Sequence, residues 1–305
     1  MTTSLDALLA PLDTDTFFAE HWERSHLHIV GEASRGRALL THAQFLETLR
    51  GYGRVPERFV AFPEHFDLSL DTAKLIGDPA RLAAYLDAGH PLVWNGARGV
   101  WPAVDALAGA LADALGAHVW PNVYATGTAG TPFDAHFDAH EVFAVQCDGE
   151  KLWWISEVRV NRPLDVSGME RAIAFELRAR RDEALSRTAA TFVARPGDVV
   201  YLPRGLFHNA STEEGRSLHV TFGVRLPTGY DALSLISSDA LSDAAQREYL
   251  PPLARDHDGS LTATAIDAMV SRLRDGITVE RVDAAMRSLR TMMVERSRES
   301  ASKQR

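Results

Sequence analysis

The spacing of hydrophobic residues changes twice along this chain. Apolar residues recur at helical spacing over residues 1 to about 50, in short strand-like runs through the middle, and at helical spacing again from Tyr230 onward. Further helices are predicted at DPARLAAYLDAG (78–89), at Val104 to Gly116, and in a charged insertion at 165–187. The pattern therefore predicts a mainly β core with helical flanks.

The predicted core strands are apolar runs bounded by turn residues. They are HVWPNVYAT (118–126), EVFAVQ (141–146), KLWWI (151–155), ATFVARPGDVVYLP (190–203) and SLHVTFGV (217–224). The Asp-Gly pair at 148–149 predicts a two-residue hairpin in which Gln146 pairs with Lys151. Counting back in twos from Gln146 reaches Asp138 and His136, so Lys151 is predicted to point inward with them unless a bulge intervenes.

Two side chains of metal-binding type stand two positions apart just before the strand EVFAVQ. His136 and Asp138 would point to one face of an extended segment, because alternate residues of a strand share a face. A third such side chain, His208, ends the stretch GDVVYLPRGLFH. Two histidines and one carboxylate form the facial set that leaves cis positions open on an octahedral Fe(II), which makes these residues the candidate catalytic metal ligands. A local H-x-D-x-H cluster that uses His140 instead of His208 is the alternative.

The stretch that ends at His208 also matches a known motif. Gly197, Pro203, Gly205 and His208 fit the second cupin motif, G(x)5PxG(x)2H, whose two turns aim the histidine back into a barrel. Thr212 replaces the final Asn of the motif, at a position interpreted as supporting a turn. Together with FFAEHWERSHLHIVG, NVY, HFDAHEVFAVQCDGEKLWW and PGDVVYLPRGLFHNA, which span most of residues 14 to 226, the motif makes the chain resemble the JmjC-type cupins, in particular the bacterial and nucleolar ribosomal-oxygenase branch.

This resemblance implies a fold and a chemistry. The fold would be a double-stranded β-helix, or jelly roll, and the activity that of an Fe(II)- and 2-oxoglutarate-dependent oxygenase. The three candidate ligands match the iron ligands of the family. Lys151 matches the lysine that pairs with the distal carboxylate of 2-oxoglutarate, a group that needs a cation once it is desolvated. Asn122 and Tyr124 match residues that line the pocket of this co-substrate.

His26, His28, His219 and the single cysteine are interpreted as structural or cavity-lining. His26 and His28 lie far from the candidate ligands and lack a nearby carboxylate in sequence, and His219 is a cavity-lining or core residue on a strand. Cys147, beside a turn, is expected to pack rather than react. Of the adjacent tryptophans at 153–154, at most one lines the cavity, because they point to opposite faces. No nucleophile elbow, Walker A or Rossmann glycine motif is present.

Composition narrows the class of protein without naming a substrate. The 305 residues are 46% hydrophobic and 24% charged, which supports a sizeable core. A single cysteine excludes an internal disulfide framework and favours the cytoplasm, and neither a signal peptide nor a transmembrane run is predicted. The net charge of −9 disfavours direct nucleic-acid binding and suits a basic peptide partner.

The chain is predicted to divide at residue 226. Residues 1–226 would form the oxygenase domain, with a mixed part at 1–100 and the jelly-roll core at 101–226, and residues 227–305 a helical region. Apolar spacing in the last two predicted helices is suited to burial against a partner, so we predict a homodimer. The residues concerned are Ile266, Met269, Val270, Leu273, Val279, Val282, Met286 and Leu289.

The resemblance favours hydroxylation of an amino-acid side chain in a protein or peptide, with succinate and CO2 as co-products. A small molecule or a biosynthetic peptide is an alternative substrate. A non-catalytic metal-binding cupin is another, which would form no succinate, although retention of Lys151 and all three ligands counts against it. The residues after Leu226 show no wing hairpin of the winged-helix domain found in the ribosomal-oxygenase branch, which counts against a ribosomal substrate.

Overall fold

Two antiparallel sheets face each other and form a jelly-roll core with helices outside it. The computed structural model describes residues 4–51, 59–61, 78–88, 90–127, 135–164, 180–242 and 262–299, together with 244, 247 and 249. The strands are β1 (Leu27–Ile29), β2 (Phe59–Ala61), β3 (Leu92–Trp94), β4 (His118–Thr126), β5 (Glu141–Asp148), β6 (Lys151–Arg159), β7 (Thr188–Ala194), β8 (Val199–Leu202), β9 (Leu206–Ser211) and β10 (Ser217–Arg225). The larger sheet has the order β1-β8-β5-β10-β4-β3-β2, and the smaller sheet has the order β7-β6-β9.

Most helices lie before β4 or after β10 in sequence, as the hydrophobic pattern predicts. They are α1 (Leu5–Leu9), α2 (Thr14–Thr16) continued by a π-helix (Phe17–His21), α3 (Ala33–Leu39), α4 (His42–Gly51), α5 (Pro79–Asp87), α6 (Pro102–Leu115), α7 (Gly229–Asp239) continued by a 3-10 turn (Ala240–Ser242), α8 (Ala263–Gly276) and α9 (Val279–Glu299). Residues 165–179 of the predicted insertion lie outside the described residues, and 180–186 are helical. None of the described helices combines the length and the apolar character that crossing a bilayer requires.

Residues 142–145 of β5 are all apolar, because both faces of this strand are covered. Phe143, Val145 and Cys147 belong to the hydrophobic core between the larger sheet and the helices. Val142 and Ala144 belong to a second core between the two sheets. A strand covered on both faces does not need the alternation of apolar and polar residues that a half-exposed strand shows.

The predicted hairpin between β5 and β6 is wrong. β5 pairs with β8 and β10, whereas β6 pairs with β7 and β9 in the other sheet, so Gln146 and Lys151 are not partners. The turn at Gly149 carries the chain from one sheet to the other. Gly149 has a φ of 61°, and a Cβ there would lie 1.7 Å from the carbonyl oxygen of Arg216. Because the sheets face each other, Lys151 still points inward and is fully buried.

The first strand is attached to the larger sheet through a buried carboxylate. Asp198 accepts hydrogen bonds from the backbone N–H of Gly31 and Arg195, each at 3.0 Å. Its carboxylate also lies 2.8 Å from Nε2 of His28, whose ring stacks on Phe192. His28 therefore does have a carboxylate partner, 170 positions away in sequence, and its role in the described residues is structural.

The last helix packs against the core of its own chain. α9 contacts α7, β4 and α6. Ser297 is fully buried, and its hydroxyl oxygen accepts a hydrogen bond from the backbone N–H of Val119 at 2.8 Å. α8 is more exposed: Ile266 and Val270 are 46% and 45% accessible. Of the apolar residues predicted to contact a partner, Ile266 and Val270 are thus more exposed than the half-buried Val282, Met286 and Leu289 of α9.

Candidate metal centre

The backbone brings the two candidate histidine ligands together. The N–H of His136 donates to the carbonyl of His208 at 3.0 Å, and the N–H of His208 donates to the carbonyl of His136 at 2.8 Å. The N–H of Gly205 donates to the carbonyl of Asp138 at 2.7 Å. Gly205 has a φ of 82°, and a Cβ there would lie 2.0 Å from the carbonyl oxygen of Val160. The tight turn before β9 therefore fixes all three candidate ligands relative to one another.

The side chains of these residues converge as well. One potential ligand atom from each of His136, Asp138 and His208 lies within 4.8 Å of the other two. Among the described residues, no other group of three or more His, Cys, Asp or Glu side chains converges in this way. Nδ1 of His208 lies 2.9 Å from the carbonyl of Leu206, so Nδ1 carries the proton. Nε2 of His208, 3.6 Å from a carboxylate oxygen of Asp138, is then left as a donor for a metal.

The protonation states suit a cation. Burial, assisted by the nearby His136, lowers the pKa of His208 to about 4, so its imidazole is neutral at physiological pH. Burial alone would raise the pKa of Asp138, but the imidazoles of His140, His208 and His136 together hold it below its usual value. Neutral imidazoles and an ionised carboxylate are the forms that ligate metals, and two nitrogens with one oxygen fit iron(II).

The candidate ligands open into a cavity between the two sheets, with a volume of about 190 Å³. Its other lining residues come from β4, β5 and β10 on one side and from β6 and β9 on the other: Asn122, Tyr124, Val142, His219, Thr221, Trp153 and Ala210, together with His140 before β5. Tyr124 and His219 are partners across the β4–β10 ladder, and their rings stack with centroids 4.8 Å apart. Burial, and then the charge of Asp138, raises the pKa of Tyr124 to about 12, which keeps its phenol a hydrogen-bond donor.

A buried ammonium group lies one layer beyond this lining. Lys151 precedes the cavity-lining Trp153 by two positions, and its Nζ donates to the hydroxyls of Thr126 at 2.9 Å and Thr212 at 3.0 Å. It has no carboxylate partner among the residues that the structure describes. Burial lowers its pKa to about 7. A desolvated cation without a counter-ion favours an anionic ligand beside it.

Two polar atoms at the cavity also lack partners. Nε1 of Trp153 and Nδ1 of His219 are buried without a hydrogen-bond partner in the described part of the chain. Buried polar atoms are normally hydrogen-bonded, so unpaired ones at a cavity favour a polar ligand there. With Lys151 and the three candidate ligands, the residues fit a metal ion plus a small anionic co-substrate.

The sequence did not point to Thr126 and Thr212. Thr126 lies two positions after Tyr124 on the same face of β4, so the strand pattern could have predicted that it points toward the same side as Tyr124. Thr212 stands where the cupin motif ends in Asn, and beyond supporting a turn it accepts a hydrogen bond from Lys151. His140 lines the cavity with Trp120 packed edge-on against it at 4.6 Å, and lies outside the three-residue cluster. Cys147 is buried, which raises its pKa to about 12 and disfavours the reactive thiolate.

Residues 101–232 match the family model described as the JmjC domain. Ribosomal oxygenase 1 of Rattus norvegicus is 30% identical over 227 residues, which cover 70% of this chain and 35% of that protein. The bifunctional lysine-specific demethylase and histidyl-hydroxylase NO66 of Drosophila pseudoobscura pseudoobscura is 24% identical over 236 residues, which cover 74% of this chain and 23% of that protein. The chain thus spans about a third or less of the length of these relatives.

A solved structure shares the fold. The ribosomal oxygenase YcfD from Escherichia coli, in complex with cobalt and 2-oxoglutarate, superimposes with a TM-score of 0.57 at 14% sequence identity, covering 89% of this chain and 68% of that one. The two sheets and the helices around them therefore have the fold of that structure.

Proposed function

We propose that this chain, whose residues 101–232 match the JmjC domain, is an Fe(II)- and 2-oxoglutarate-dependent oxygenase that hydroxylates a side chain of a protein or peptide. Succinate and CO2 are the co-products. The observation that carries the proposal is the convergence of His136, Asp138 and His208 at one cavity, with a buried lysine one layer beyond. The names of the relatives, ribosomal oxygenase and histidyl-hydroxylase, support a protein substrate.

His136, Asp138 and His208 hold the iron in this proposal, and the cobalt in the YcfD complex supports a metal in a protein of this fold. The bound metal supplies the activation of O2 with 2-oxoglutarate and the transfer of one oxygen atom into a C–H bond. The chain contributes orientation and charge. The carbonyl of Leu206 fixes the tautomer of His208, and Asp138 offsets half of the charge of a divalent ion.

Lys151 binds the distal carboxylate of 2-oxoglutarate in this proposal. Its ammonium group is desolvated and held by two threonine hydroxyls, so an incoming carboxylate gains an ion pair without reorganising the pocket. Tyr124 and Asn122 line the metal cavity, where they would offer hydrogen-bond donors to the co-substrate.

Turnover tests this assignment directly. The protein would be incubated with Fe(II), 2-oxoglutarate and a bacterial lysate, and both succinate and peptides heavier by about 16 Da, the mass of one oxygen atom, would be measured by mass spectrometry. We expect both products. Absence of succinate would identify a non-catalytic cupin, and succinate without a modified polypeptide would favour a small-molecule substrate.

The affinity for 2-oxoglutarate should depend on pH through Lys151. Because burial lowers the lysine pKa from 10.5 to about 7, the ammonium form that pairs with a carboxylate is lost as the pH rises above 7. Affinity should be constant below pH 7 and fall above it, by up to about tenfold per pH unit. Calorimetric titrations of 2-oxoglutarate from about pH 6 to 9, a range that brackets this pKa, would measure the change in affinity. A Lys151→Met variant should bind weakly with no such slope.

We also propose a cytoplasmic homodimer. A single buried, free cysteine supports a reducing compartment. The exposed Ile266 and Val270 of α8 support a partner there, because they are one helical turn apart and share a face. Removing all of the helices would be a poor test, because α9 also covers β4.

Point changes on α8 test the dimer more cleanly. The double variant Ile266→Asp with Val270→Asp should be monomeric in light scattering, since a charged face cannot be buried against a partner. Leu185→Asp, at an exposed leucine elsewhere, should leave the dimer intact. A wild-type protein that is itself monomeric contradicts the proposal.

A further inference from the structure

A second cavity of about 350 Å³ adjoins the metal cavity. His140 lines both, so the two spaces meet at the segment that follows Asp138. We name the second space the outer cavity; its charged lining residues are Glu23, Glu141, Arg162, Arg204 and Arg225. The outer cavity is larger and more polar than the metal cavity, so it is not a packing void in the hydrophobic core.

Unusual backbone conformations occur at this cavity. Glu23 and Arg162 have φ values of 55° and 45°, and among the described residues they are the non-glycine residues with positive φ. Both line the outer cavity. Arg162 also precedes Pro163, a position at which helical conformations are already disfavoured. Such conformations persist where surrounding contacts impose them, and they concentrate at ligand sites.

Hydrogen bonds connect the wall of the outer cavity to the metal cluster. The backbone N–H of Arg204 donates to the carboxylate of Glu141 at 3.3 Å, and the N–H of the next residue, Gly205, donates to the carbonyl of Asp138. Nε of Arg159 donates to the carbonyl of Arg204 at 2.8 Å. The wall of the outer cavity therefore includes the turn that positions a candidate ligand.

Of the three arginines that line the outer cavity, Arg162 has no carboxylate partner among the described residues. Arg204 pairs with Glu23 and lies 3.9 Å from Glu141, and Arg225 pairs with Asp231 at 2.8 Å. Arg162 is exposed and has no carboxylate partner in the described ranges. Behind the wall, Nη2 of Arg159 is buried without a hydrogen-bond partner among the same residues. These two arginines leave a local excess of positive charge on a chain whose net charge is −9.

We propose that the outer cavity binds the stretch of polypeptide substrate next to the hydroxylated residue, and that Arg162 pairs there with an acidic side chain of that stretch. The inference rests on the proposed function, because it assumes that a substrate side chain enters the metal cavity. A polypeptide that occupied both spaces would run past His140, which lines both cavities. An acidic neighbour would then meet the guanidinium of Arg162, which has no carboxylate partner within the described ranges.

A randomised decapeptide library tests the inference. The library omits Cys, Met and Trp, whose side chains oxidise without an enzyme. It would be incubated with the full chain, Fe(II) and 2-oxoglutarate, and the peptides that gain one oxygen atom would be sequenced by mass spectrometry. We expect Asp or Glu to be enriched at a fixed offset from the modified residue. In Arg162→Gln, KM for the preferred acidic peptide should rise about tenfold with little change in kcat, because a charge-assisted hydrogen bond is lost.

Matched variants separate this inference from the proposed function. Arg195→Gln removes an exposed arginine near the Gly149 turn, at the opposite end of β5 from Asp138, and should leave both the enrichment and KM unchanged. Arg162→Lys should retain most of the preference. Modified peptides without acidic enrichment, or enrichment that survives in Arg162→Gln, would overturn the inference and leave the oxygenase assignment intact. Absence of both succinate and modified peptides would overturn the two together.

Discussion

Replacing Asp138 with Ala is expected to abolish turnover and metal binding together. The carboxylate is one of the three candidate metal ligands, and it offsets half of the charge of a divalent ion. His208→Ala should have the same effect, because it removes the donor held in register by the carbonyl of Leu206. Metal content and succinate formation would be measured on the same preparations, with circular dichroism to confirm that each variant is folded.

His140→Ala is the matched control for this pair. His140 lines the cavity two positions from Asp138, but it lies outside the three-residue cluster. It should keep its metal and lose activity by about 10–100-fold at most, the range typical of residues that support metal ligands from outside. Metal loss in His140→Ala with metal retained in His208→Ala would reverse the assignment and make H-x-D-x-H the site.

Replacing Lys151 with Ala should weaken 2-oxoglutarate binding by two or more orders of magnitude. Loss of one partner from a buried ion pair typically costs about 3–5 kcal/mol. Metal binding should survive, because Lys151 lies one layer away from the candidate ligands. Titration of 2-oxoglutarate into the metal-loaded variant measures the effect.

Thr212→Val is the comparison for Lys151→Ala. It removes one of the two hydroxyls that accept from the ammonium group but leaves the charge in place. The loss of 2-oxoglutarate affinity should therefore be much smaller than in Lys151→Ala. An unchanged affinity in Lys151→Ala would mean that the co-substrate pocket lies elsewhere.

Local sequence patterns predicted most of the elements and the inward direction of Lys151. The β4 segment was predicted over its full range, because it is a largely apolar run bounded by turn residues. The pairing between Gln146 and Lys151 was wrong although the turn was right. An Asp-Gly turn marks where two strands reverse, but it does not distinguish a hairpin within one sheet from a crossing between two sheets. Both arrangements point Lys151 inward, so the prediction of its direction survived the error.

Contacts between distant segments were beyond the reach of local patterns. His28 was interpreted as lacking a carboxylate because Asp198 is 170 positions away. The outer cavity was missed for the same reason, since Glu23, Arg162 and Arg204 come from three separate segments. The net charge of the chain suggested a basic partner, whereas Arg162, without a carboxylate partner in the part of the chain that the structure describes, is the basis of our proposal of an acidic one. Net charge averages over the whole surface, and a binding site depends on the few charges that face it.

The position of β10 has a consequence for how this chain folds. β10 lies between β4 and β5 in the larger sheet although it follows both in sequence. Those two strands therefore have no shared partner until Ser217–Arg225 has been added. Closing such long loops costs entropy before any contact repays it, so topologies of this kind fold slowly. Assembly of the larger sheet should be a late, cooperative step, and the metal donors cannot converge in a nascent chain that still lacks β9.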